Sequence, residues 1–202
     1  MARRPNTEQR RIEIVNALLV VMAEHGYEKA TIQLIAQEAG LAPGLLHYHF
    51  KTKAEILLEL VKTLAEVSRT RYSKFSESAS TADAKLQAYI NARLGKGTGE
   101  DPKAVAAWVM IAAEAVRQPE VRAVYQETIG AELAFIRGLI TGTLKDKGKK
   151  INNARALAAG LLAFMEGAFQ LASAAPDVMP RGYAAATAIE LVRRYIDDEA
   201  SR

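Results

Sequence analysis

Residues 31–50 read TIQLIAQEAGLAPGLLHYHF, and this stretch decides the fold. Ile32, Ile35, Ala36 and Ala39 fall at helical spacing and give a first short helix, opened by Thr31, an apolar face. Ala36 is small where a second helix must cross closely. Gly40 follows, and glycine takes a positive φ at no steric cost, so the chain can turn sharply there. Pro43 stands at the first position of the second helix, where its missing N–H costs nothing, and Leu41 and Leu46 plug that helix into a core. One helix braces and the next is presented to solvent, as in a helix-turn-helix. The same small–Gly–apolar pattern also suits a plain αα-hairpin in a helical bundle.

The flanks repeat the helical period, and strand alternation appears nowhere. Upstream, Thr7 can cap a helix with apolar face Ile12, Val15, Leu18, Leu19 and Met22, ending at Gly26. Downstream, Thr52 and Glu55 form a capping box for a long helix to about Phe75. SESASTA, residues 76–82, is the clearest composition break and marks a hinge. Further helices are expected at about 83–94, from Asp101-Pro102 to about Arg117, and from Pro119 to the lysine-rich stretch Lys145–Lys150, which reads as a solvated loop. Another is expected from a cap at Asn152 to about Ala175, and the last from about Arg181 to Asp198. The expectation is an all-α chain of nine helices: three N-terminal ones, a connector and five in a larger body. GKGTG at 95–99 has neither the spacing of a phosphate-binding loop nor a strand before it.

Composition narrows the chemistry. The 202 residues include no cysteine, which excludes disulfides, thiolate metal sites and a cysteine nucleophile. His47 and His49 are two apart and do not share a helix face, so no metal site is expected. Paired carboxylates and a nucleophile with its base are absent as patterns, so neither an enzyme nor a cofactor is expected. The N-terminus lacks the apolar run of a secretory signal. The most apolar stretch, 156–175, carries Glu166 and Gln170 in its middle, so it reads as a buried helix with no membrane contact, and the chain is expected in the cytoplasm. The net charge of +4 permits nucleic-acid binding. Arg3, Arg4, Arg10 and Arg11 against Glu8 form a basic arm, which suits the DNA backbone or a solubilising tail.

The second helix carries a resemblance. Ala36, Gly40, Leu41, Gly44, Leu46, Tyr48, His49, Phe50 and Lys53, followed by Ala54-Glu55-Ile56-Leu57, resemble the helix-turn-helix of the TetR family of bacterial transcriptional regulators. The likeness covers residues 8–68, with the motif at 31–50, and implies a DNA-binding domain there and an effector-binding and dimerisation domain over 76–202. The chain departs from the family pattern at Leu45, where Thr or Ser is usual, at His47, where Tyr is usual, and at Ala42, which replaces a Ser cap. Leu45 cannot donate a hydrogen bond, but it could touch a thymine methyl. Thr31 and Lys53, at helix N-termini flanking the motif, are the expected phosphate contacts, which set register and not sequence. Gln33, Pro43, Gly44, Leu45, His47 and Tyr48 are expected to face the groove. His49 either bonds to phosphate or packs against the first helix.

The resemblance further implies a two-fold dimer on a palindromic double-stranded operator, because a single such module covers little DNA. The last two helices suit the homodimer face: Ala158, Gly160, Ala163, Gly167 and Ala168, with Ala188, Leu191, Val192 and Tyr195. The middle helices would enclose a small-molecule effector. Candidate lining residues are Trp108, Ile111, Glu114, Arg117, Tyr125, Phe135, Phe164 and Met165, although each taken singly reads first as ordinary core. The expected function is a ligand-released repressor. The alternatives are an activator of the same build or a helical enzyme with an appended DNA-binding motif.

Overall fold

The computed structural model of the chain describes residues 7–95 and 102–199. Among them are nine α-helices: α1 Thr7–Lys29, α2 Ile32–Glu38, α3 Pro43–His49, α4 Lys53–Ser76, α5 Ala82–Leu94, α6 Pro102–Ala115, α7 Pro119–Asp146, α8 Ala154–Ala174 and α9 Tyr183–Asp198. The sequence reading of Arg3 and Arg4, of the Asp101 cap and of residues 96–99 lies outside the described residues.

Helix boundaries follow local chemistry. Gly26 has φ 78° and ψ 162°, which breaks α1 into a long helix and a final turn carrying Tyr27. Thr31 Oγ1 accepts from the Leu34 N–H at 3.2 Å, the side-chain cap expected of it. Gly40 makes the turn at φ 63°. Pro43 opens α3, and Ala42 before it gives no side-chain cap. At α4, Thr52 Oγ1 accepts from the Glu55 N–H at 3.1 Å, while the Glu55 carboxylate reaches back one residue further than the usual box, to the Lys51 N–H at 2.7 Å. The cap of α8 is Asn153 rather than Asn152, and its amide donates to Glu199 Oε1 at 2.8 Å instead of closing the helix end.

The described residues divide into two compact units, those up to Ala65 together with Met110–Gln126, and those of 66–109 together with those from Glu127 onward. The hinge expected at 76–82 coincides with the break between α4, which ends at Ser76, and α5, which starts at Ala82, while 110–126 packs with the first unit. In the first unit α1, α2 and α3 pack on one another around Ile14, Leu18, Ile35, Ala36, Leu46 and Phe50, all essentially inaccessible. Burial of each large side chain stabilises the unit by about 1.5–3 kcal/mol. Leu46→Ala, which would leave a cavity under the second helix, is the single change most damaging to the motif.

In the second unit α5, α8 and α9 pack together through Leu86, Tyr89 and Ile90, Leu161, Met165 and Phe169, and Ala188, Val192 and Ile196. Among the described residues α8 alone is long and apolar enough to cross a bilayer. Its inner face is occupied by these neighbours, and the Glu166 carboxylate in its middle accepts the single Trp108 indole N–H between its two oxygens, Oε2 at 3.0 Å and Oε1 at 3.1 Å. The 145–150 segment is not simply solvated. Lys149 Nζ donates to the Asp197 and Glu199 carbonyls at 2.9 and 2.8 Å, and Lys147 pairs with Asp197 at 2.9 Å, so cations meet the C-terminus of α9.

Candidate nucleic-acid interface

The two sides of α3 differ sharply. Leu46 and Phe50 are buried, whereas Leu45 is 44% exposed and Tyr48 68% exposed, with Pro43, Gly44 and His47 exposed beside them. A large aromatic and an aliphatic side chain thus stand in solvent on a helix held rigidly by its other face. Thr31 and Gln33, at the start of α2, are exposed as well. His49 is half-buried, its ring edge-on to Tyr48 at 5.2 Å, and its Nδ1 is buried without a hydrogen-bond partner. That ring is therefore partly packed, as one of the two readings of His49 requires.

Two cations fix the ends of this motif, and both act on backbone. Arg11 was legible only as part of a basic arm. Its Nη1 donates to the His49 carbonyl at 2.9 Å, its Nη2 pairs with Glu59 at 3.1 Å, and its guanidinium lies 4.1 Å from the Phe50 ring centroid. No local pattern could have revealed this, because the partners lie 38 or more residues away. Lys53, expected at phosphate, instead directs Nζ to the Tyr27 carbonyl at 2.7 Å and the Glu28 carbonyl at 3.3 Å, 4.1 Å over the Tyr27 ring. It closes the last turn of α1, where carbonyls lack helical partners. Burial lowers the Lys53 pKa below its ordinary value, against the opposing effect of Glu120, Glu114 and Glu28.

The expected effector residues are not gathered in one body. Ile111, Glu114, Arg117 and Tyr125 belong to the first unit, and Trp108, Phe135, Phe164 and Met165 to the second. Glu114 is 7% exposed and pairs with Arg117 at 3.1 Å, so these two charges answer each other, and the Arg117 side chain itself stands in solvent. Phe135 is substantially exposed and forms an edge-to-face triangle with Tyr72 and Tyr89. Ile111 and Met165 are fully buried, and Phe164 and Tyr125 half-buried. Trp108 is buried against Glu166, a partner announced in the sequence only by a lone carboxylate in an apolar helix. An open groove along α7, lined by Ala134, Arg137, Gly138, Thr141, Gly142 and Lys145, includes none of the eight. No group of three or more metal-ligating side chains occurs among the described residues.

Comparison with known proteins agrees with this architecture. Residues 14–60 match the family described as bacterial regulatory proteins, tetR family, and residues 82–201 match the BetI-type transcriptional repressor C-terminal family. A BetI helix-turn-helix regulator of Rhizobium meliloti is 31% identical over 113 residues, 56% of this chain and 55% of that protein, so the chain spans about half the length of that relative. A transcriptional regulator structure from Pseudomonas aeruginosa superimposes with TM-score 0.80 at 20% identity, covering 96% of this chain and 91% of that one. Another, from Saccharomonospora viridis in complex with choline, has TM-score 0.70 at 21% identity and covers 96% and 99% of the two chains. The match over 82–201 alone takes in more than half of the sequence, and with the N-terminal match it identifies this chain as a member of the TetR family of bacterial transcriptional regulators.

Proposed function

We propose that the chain is a cytoplasmic, homodimeric repressor that binds a palindromic operator through α3 and releases it when a small molecule binds the C-terminal body. The observation that carries this reading is the exposure of Leu45 and Tyr48 on a helix whose opposite side, Leu46 and Phe50, is buried. Thr31, Gln33, Pro43, Gly44, His47 and Lys53 surround that face, with His49 at its edge. Dimerisation is supported by the outer surface of α8 and α9, where Ala159, Gly160, Ala163, Gly167, Leu171, Leu191 and Tyr195 are exposed. Small side chains let a second copy approach closely, and the apolar ones supply area to bury.

The effector proposed is a small organic cation, with choline the first compound to test, because a neighbour of the same fold holds choline and the C-terminal half matches a BetI-type family. Trp108 and Glu166 offer an aromatic ring and a carboxylate side by side, the two features that attract a quaternary ammonium group. Release requires the effector to bind the two conformations unequally, and coupling is reciprocal. Choline titrated against the protein should change Trp108 fluorescence and lower operator affinity by the same factor by which operator weakens choline. A strong fluorescence change with unaltered DNA affinity would remove this site from the regulatory path.

A further inference from the structure

Lys53 has three N–H donors and two clear acceptors. The Tyr27 and Glu28 carbonyls take two, and the Tyr27 ring lies beneath the ammonium. The third donor has two potential claimants. One is a DNA phosphate, since Lys53 begins α4 beside the recognition helix. The other is the corner between α6 and α7, which the same compact unit contains. There Glu114 lies against the kink of α1, close enough that a Cβ on Gly26 would meet its Oε1 at 3.2 Å. Its Oε1 pairs with Arg117, while its Oε2 is buried with no hydrogen-bond partner. Glu120, the second residue of α7, adds a second carboxylate, and its charge bears on both Lys53 and the buried Tyr27 hydroxyl. Arg122 donates to the Ala115 and Val116 carbonyls at 2.8 and 2.5 Å, which ties the end of α6 to the start of α7.

A buried carboxylate oxygen without a partner is costly to leave so, and a cation that comes within reach of it relieves that cost. We propose that Glu114 and Glu120 compete with a DNA phosphate for the remaining donor of Lys53, so that the α6–α7 corner acts as a built-in phosphate mimic that weakens the free protein's hold on DNA. Lys53 then has two alternative anions, and the position of the corner sets how much of its charge DNA receives. This rests on the DNA-binding reading above. It is independent of operator sequence, because phosphate contacts carry no sequence information.

The test uses the full chain and a labelled random-sequence duplex, with binding followed by fluorescence anisotropy between about 50 and about 200 mM salt. Glu114→Gln and Glu120→Gln should each tighten binding roughly two- to fivefold, the range of a screened ion pair. Each should also steepen the salt dependence by about one released counterion. In a Lys53→Gln background both gains should vanish. Equal tightening with and without Lys53, an unchanged salt slope, or no tightening at all would overturn the proposal. Glu120 is exposed, so Glu120→Gln keeps the test decisive should the buried substitution unfold the protein, and the salt slope does the same should Lys53→Gln unfold it. A wild-type chain that binds no duplex at any salt would overturn the DNA-binding reading itself, a distinct outcome.

Discussion

The Arg11 guanidinium rests 4.1 Å from the Phe50 ring centroid while its Nη1 donates to the His49 carbonyl at 2.9 Å. One side chain on α1 thereby closes the C-terminal end of the recognition helix, and through Glu59 it also holds α4. A helix of seven residues leaves most of its carbonyls without internal partners, so this contact matters more here than it would on a long helix.

Arg11→Ala should lower stability by about 1–3 kcal/mol, the range for a charge-assisted hydrogen bond plus a half-exposed cation–π contact. It should also weaken DNA binding, because α3 loses its C-terminal anchor. Arg11→Lys should recover little, since an ammonium cannot present the fork that meets carbonyl and carboxylate together. Thermal melts and anisotropy titrations measure both effects, and unchanged melting in Arg11→Ala would show that the contact contributes nothing.

Gly26 and Gly40 both have positive φ, but their surroundings differ. At Gly26, φ 78° with ψ 162° is a region almost closed to other residues, and a Cβ would meet Glu114 Oε1 at 3.2 Å. At Gly40 the φ is 63° and the space beyond is open. Gly40→Ala should cost about 1 kcal/mol and Gly26→Ala more, about 2–3 kcal/mol. Chemical denaturation of the two variants ranks them, and the reverse order would contradict the geometry.

The outer surface of α8 and α9 separates folding from association. Gly167 is exposed with open space around it, whereas Ala188 is buried within its own chain, although both were expected at the dimer face. Gly167→Arg should give a folded monomer with weakened operator binding. Ala188→Arg should unfold the chain, because it forces a charge into the core. Sedimentation with circular dichroism distinguishes these results, and a Gly167→Arg protein that stays dimeric would place the interface elsewhere.

Two phenols should resist ionisation in the folded protein. Burial first, then the charge of Glu132, raises Tyr89 above its ordinary value, and burial with Glu120 does the same for Tyr27. The folded state therefore keeps these protons after the unfolded state has lost them. Their contribution is fully present below about pH 10 and declines as the pH rises further. Absorbance titration should show a late-ionising fraction that shrinks in Tyr89→Phe and in Tyr27→Phe. Stability in Tyr89→Phe should fall less steeply above about pH 10, and a decline as steep as wild type would assign the alkaline loss to other groups.

Much of the architecture is written in short-range signals. Thr31, Gly40, Pro43 and the Thr52–Glu55 pair each set a helix end within a few residues, so the helix order and the motif are legible locally. The partnership of Arg11 with His49, of Lys53 with Tyr27, and of Trp108 with Glu166 is not, because each spans 26 or more residues and depends on how helices cross. For the same reason, no local spacing announces that 110–126 packs with the described residues up to Ala65. Spacing along α8 and α9 identified small and apolar positions but could not say which side faces the chain's own core, as Ala188 and Gly167 illustrate.

The most direct measurement is selection from a random double-stranded DNA pool by the purified wild-type chain, followed by footprinting of the enriched sequence. The expected result is a two-fold symmetric motif with half-sites about one helical turn apart. Protection should be lost in Tyr48→Ala, and Leu45→Ala should relax the preference at one position in each half-site. A pool that remains unenriched, or an enriched site that Tyr48→Ala protects as well as wild type does, would contradict the assignment of α3 as the DNA-reading helix.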